Sequence, residues 1–110
     1  MMQLSFKMRF YLFLDPKGKK IAPHVHNFLS RQVFYTQEVL IIRRGRLKVN
    51  LYSSDKEFFG DRILEAGDVI LLCGGGHSFE MLEETSIIEV KQGPYLGVED
   101  KTRFENDSLG

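Results

Sequence analysis

Short runs rich in Val, Ile, Leu, Phe and Tyr recur along the chain, parted by glycines and charged turns. That pattern predicts an all-β sandwich or barrel rather than a helical fold. Strands are predicted at Ser5–Leu14, Lys20–Leu29, Gln37–Arg44, Arg46–Ser53, Glu57–Leu64, Asp68–Leu72, His77–Leu82 and Thr85–Lys91. Arg44-Gly45-Arg46 reads as a tight hairpin, because glycine reaches the positive φ such turns need. Ser53–Lys56, Glu65–Asp68 and Glu83-Glu84 mark the following turns. No segment of a dozen residues carries apolar positions at i, i+3, i+4 and i+7. The polar tail from Val98 to Gly110 fits a short helix, an arm or coil equally well.

Side chains alternate between the two faces of a strand, so parity assigns the faces. Leu47, Val49 and Leu51 share one face, with Lys48, Asn50 and Tyr52 on the other, as in a half-buried strand. In the preceding strand Glu38, Leu40 and Ile42 share one face and Val39 and Ile41 the opposite one, so both faces should be covered. Packing between two sheets would do this, and so would an interface with a second copy, which makes a homodimer the expected assembly.

The chain has 110 residues, of which 43% are hydrophobic, enough for one globular domain and too few for two. Fifteen basic residues balance fifteen acidic ones. A net charge of zero gives no electrostatic basis for binding nucleic acid or an anionic membrane. No apolar stretch approaches the roughly 20 residues of a spanning helix. The first residues, broken by Lys7 and Arg9, do not form a signal-peptide core, and Cys73 is the sole cysteine. Together these predict a protein of the reducing cytoplasm, without disulfides.

The chain holds three histidines. Two stand as His24-Val25-His26, and at strand period both rings would point to one face with their Cα atoms roughly 7 Å apart. Glu38 opens the next strand on an otherwise apolar face, where a carboxylate is costly unless paired or metal-bound. Gln32 and Gln37 are its rivals as a polar ligand. His77 opens a later strand directly after Gly74-Gly75-Gly76. That glycine triplet lacks the lysine and the following helix of a phosphate-binding loop, so it reads as a tight turn.

These residues resemble the two motifs of the cupin superfamily. The first, G-x5-H-x-H followed by a glutamate and then E-x6-G, is met by Gly18, His24, His26, Glu38 and Gly45. The second, G-x5-P-x-G-x2-H-x3-N, is approached by Gly67 to His77 and on to Met81. There are departures. Eleven residues separate His26 from Glu38, where the family pattern has three or four. The second motif is one residue short, with Cys73 in place of the proline and Met81 in place of the asparagine.

The resemblance implies a single cupin domain over residues 1–110, with its core at about 18–92, an N-terminal strand and a C-terminal tail. Its fold would be a double-stranded β-helix, the jelly-roll barrel. It also implies a divalent transition metal (Fe, Mn, Ni, Co or Zn) held by His24, His26, Glu38 and His77. Phe28, Phe79 and Met81 would line an apolar cavity beside that site, and Arg31, Tyr35 and Tyr52 would stand near its mouth. Lys91-Gln92-Gly93-Pro94-Tyr95 resembles a segment of small cupins associated with polysaccharide biosynthesis. The function expected from all this is a metal-dependent enzyme of isomerase or oxygenase type acting on a small polar or sugar-like molecule. A non-catalytic carbohydrate-binding or sensing module is the alternative. No general acid or base is evident outside the four ligand positions, so catalytic residues are not assigned.

Overall fold

A computed structural model of the chain describes residues 13–94 and 96–105. It divides into two units, Met1–Phe34 and Tyr35–Gly110.

The described part of the first unit, 13–34, contains one turn, closed by Lys19 N–H donating to the Pro16 carbonyl at 3.2 Å, and no strand. The strand predicted at Lys20–Leu29 is therefore corrected. Its composition is strand-like, but Pro23 removes a ladder donor in mid-run, and the run gains no hydrogen-bonded neighbour among the described residues. Most of the strand predicted at Ser5–Leu14 lies outside the described residues.

The described residues of the second unit form six strands, close to the remaining six predicted. These are β1 (Gln37–Arg44), β2 (Arg46–Tyr52), β3 (Phe58–Glu65), β4 (Val69–Cys73), β5 (Gly76–Met81) and β6 (Ser86–Lys91). They form two antiparallel three-stranded sheets, ordered β4-β1-β6 and β3-β2-β5. Among the described residues only β2 and β3 form a hairpin. Its turn is fixed by Ser53, whose N–H donates to the Glu57 carbonyl and whose hydroxyl accepts from the N–H groups of Asp55 and Glu57.

Gly45 does not make the predicted hairpin. It is a corner at φ +95°, where the chain leaves one sheet and enters the other. The same happens at Gly67 between β3 and β4, and at Leu82–Thr85 between β5 and β6. Three bent ribbons result, β1–β2 in the middle, flanked antiparallel by β3–β4 and β5–β6. Backbone bonds continue the pairing through the bend. Gly67 N–H donates to the Ile42 carbonyl and Leu82 N–H to the Arg46 carbonyl.

The core follows from this wrapping. Leu40, Ile42 and Leu72 of one sheet pack with Leu47 and Val49 of the other, all fully or nearly buried. Register places Ile70 and Ile87 beside them, and Leu51 and Leu64 close the rim.

The opposite face of β2 is not left to solvent as its alternation predicts. Asn50 and Tyr52 are each only 2% exposed. Phe104 from the tail meets the Tyr52 ring edge-on at 5.1 Å, Phe58 lies at 5.7 Å, and Tyr52, Ser78 and Asn50 share a chain of side-chain hydrogen bonds. The tail makes a short 3-10 turn at Gly97–Asp100, tied back by the Thr36 hydroxyl donating to Asp100. Tyr95 and residues 106–110 lie outside the described residues.

Candidate functional site

The corners bend all three ribbons at one end of the core, which leaves the other end to β1, β4 and β6 in one sheet and β2, β3 and β5 in the other. Gly74 and Gly75, both at positive φ, carry the chain across that end from β4 to β5. Two of the predicted ligands sit there.

Glu38 is the second residue of β1 and shares its inner face with Leu40 and Ile42; its side chain is 12% exposed. His77 is the second residue of β5, opposite Leu51, and therefore on the face that also carries Val49 and Leu47. Residues 39 positions apart, from different sheets, thus meet with His77 Nε2 3.8 Å from Glu38 Oε2. That is too long for a hydrogen bond. It is close to the roughly 3.4 Å between two ligands of one tetrahedral metal at bond lengths of about 2.1 Å, so a small side-chain turn would bring both onto one ion.

The other oxygen of Glu38 faces a cation. Lys91 of β6 lies directly opposite Glu38 in the β1–β6 ladder, with its Nζ 3.7 Å from Oε1. Two residues earlier on the same face, Glu89 receives the same ammonium at 3.3 Å. The Glu38 carboxylate first, then the hydrogen bond and charge of Glu89, hold the Lys91 ammonium above its ordinary pKa. Both Lys91 and Glu89 escape a motif-based reading. Nothing near them in the chain marks them, and only the long-range register brings them beside Glu38.

In the first unit the His24 and His26 rings lie 5.4 Å apart, edge to face. The His24 Nδ1–H donates to the Ala22 carbonyl at 2.9 Å. A carbonyl can only accept, so in the neutral ring Nδ1 carries the proton and Nε2 keeps its lone pair free. Metal-binding imidazoles are held in this way through their second nitrogen. The donor chemistry of both pairs therefore fits a transition metal, imidazole nitrogen with one carboxylate oxygen. Within neither unit, among the described residues, do three or more His, Cys, Asp or Glu side chains gather.

The predicted pocket residues separate. Phe79 is on the inner face, its ring 5.2 Å from that of His77. Met81 shares that face but stands opposite Leu47, at the corner end of β5, four residues beyond His77. Tyr52 projects to the opposite face of β2, away from His77, because it lies one position past Leu51. Phe28 and Arg31 lie in the strandless 13–34 segment, so strand parity assigns them no face, and Tyr35 is exposed at the start of the second unit. Cys73 is a free, half-buried thiol beside Gln37. No helix among the described residues is long and apolar enough to cross a membrane.

No family model matches this chain, and neither a curated protein nor a solved structure matches it.

Proposed function

We propose that this chain is a small cupin that binds a divalent transition metal (Fe, Mn, Ni, Co or Zn) through His24, His26, Glu38 and His77. It would act as an isomerase- or oxygenase-type enzyme on a small polar or sugar-like molecule. The observation that carries this reading is the meeting of Glu38 and His77 on the inner faces of two different sheets, at the positions the two motifs name. The three bent ribbons support a double-stranded β-helix, since winding paired antiparallel ribbons through shared corners is what that fold requires.

When bound, such a metal supplies a Lewis acid with coordination positions left open for a substrate. The chain's own residues do the rest. The Ala22 carbonyl fixes the tautomer of His24. Phe79 gives His77 an apolar flank, ring beside ring. Lys91 and Glu89 supply the polar groups beside Glu38 that could contact a polar ligand.

Tag-free protein never exposed to a nickel column is expected to carry near-stoichiometric metal by plasma mass spectrometry, and His26→Ala is expected to lose it. Absence of metal from both proteins would overturn the proposal.

The same reading includes a homodimer. The outer face of the β4-β1-β6 sheet presents Val39, Ile41, Val69, Leu71, Ile88 and Val90, of which Val69, Ile88 and Val90 are well exposed. Light scattering is expected to give twice the 12.7 kDa chain mass, and a monomer at high concentration would contradict it.

A further inference from the structure

We propose that Lys91 is a positioning residue for the metal site: its ammonium takes Oε1 of Glu38 and so keeps Oε2 turned toward His77. This rests on the metal reading above. The two oxygens of Glu38 have different partners, Lys91 at 3.7 Å on one and His77 at 3.8 Å on the other. Lys91 therefore does not stand between Glu38 and His77, where it would compete for the ion. It is also anchored on its far side. Glu89 holds the same ammonium at 3.3 Å, closer than Glu38 does.

The arrangement is set by the fold. Glu38 and Lys91 are directly opposed in the β1–β6 ladder, as are Leu40 and Glu89, so all three charged side chains share the inner face. Along it the charges alternate, Glu89, Lys91, Glu38, and end at the imidazole. Among the described residues no other lysine or arginine pairs with Glu38. A carboxylate ligand whose second oxygen is held in this way presents one oxygen in one orientation. Loss of such outer partners typically weakens metal binding by about 10–100-fold.

The test is a titration of the full-length, metal-stripped chain with Co(II), followed by its visible absorption, which reports both affinity and coordination. Lys91→Met is expected to raise the Co(II) Kd by about 10–100-fold and to alter the absorption spectrum, with the metal-free variant still folded by its melting curve. Lys91→Arg, which keeps a cation at the same place, is expected to restore most of the affinity and the wild-type spectrum. Lys91→Gln is measured beside them and carries the same expectation as Lys91→Met, so a folding defect in one variant does not decide the outcome. Wild-type affinity in either folded variant, or tighter binding, overturns the positioning role while leaving the metal site standing. Failure of the wild-type chain to bind Co(II) overturns the metal reading and this inference together.

Discussion

Gly45→Ala is expected to destabilise the second unit by about 3 kcal/mol, near the top of the range for a single strained position. Two effects add. At φ +95° an L-residue loses roughly 1–2 kcal/mol to its own backbone. In addition, the new Cβ would overlap the Glu84 carbonyl oxygen and stand 2.6 Å from Thr85 Oγ1 and 2.7 Å from Thr85 Cα. Those atoms cannot move away cheaply. The Thr85 hydroxyl donates to the Arg46 carbonyl at 3.0 Å, and Leu82 N–H donates to the same carbonyl at 2.9 Å, so the two corners are bonded to each other. Gly67 is a matched control. Its φ is +94°, but a Cβ there meets nothing within 4 Å. Gly67→Ala is therefore expected to cost only the backbone share, about 1–2 kcal/mol. Thermal melts of the two variants check this, at about 4–8 °C per kcal/mol for a domain of this size. Equal losses would mean that the close approach of the corners is not what Gly45 serves.

That glycine also shows where a sequence reading stops. A hairpin and a corner both want positive φ, so Arg44-Gly45-Arg46 announces a reversal or a bend without saying which. What decides is that β1 pairs with β4 and β6, while β2 pairs with β3 and β5. Apart from the β2–β3 hairpin, those pairings join residues some 24 to 53 positions apart, and no local pattern encodes them. The strands themselves were legible. Apolar alternation bounded by Gly, Asp and Glu put β1 at the observed Gln37–Arg44 and the other five within a residue or so at each end. Lys20–Leu29 has the same composition and forms no strand, because composition does not supply a ladder partner.

The candidate site divides along the same line. Glu38 and His77 were legible from spacing. Lys91 and Glu89 were not, because the facing of their strand is set by register rather than by its own alternation. In β6 the apolar Ile88 and Val90 look like the inward set, yet register with Leu40 and Ile42 turns Ile87, Glu89 and Lys91 inward. Ile88 and Val90 are left on the outer face. The polar chain of Asn50, Ser78 and Tyr52 was hidden for a related reason. Its cover, Phe104, arrives from the far end of the sequence.

Glu38→Leu is expected to separate the site's function from the fold's stability. As a structural residue Glu38 is a poor choice, since its carboxylate sits on a face shared with Leu40 and Ile42 and is 12% exposed. Exchanging a buried ion pair for packed apolar side chains is often neutral, or stabilising by about 1–4 kcal/mol, and removing one partner alone is costly only where the other charge is left buried and unpaired. The cation it leaves behind is not stranded, because Lys91 keeps Glu89 at 3.3 Å and remains partly exposed. Urea denaturation of the metal-free variant is therefore expected to give a stability within about 1 kcal/mol of wild type, or above it. If Glu38 is a ligand as proposed, metal retention is expected to fall further than the roughly 100-fold that loss of an outer partner can bring. Glu38→Gln keeps the shape and one acceptor oxygen without the charge, and is expected to fall between the two. A Glu38→Leu protein that loses more than about 2 kcal/mol yet keeps its metal would make Glu38 the structural partner of Lys91, with the ligand to be sought elsewhere. Retained stability with lost metal would mean that the carboxylate persists on an apolar face for what it binds, a local cost of the kind functional sites carry.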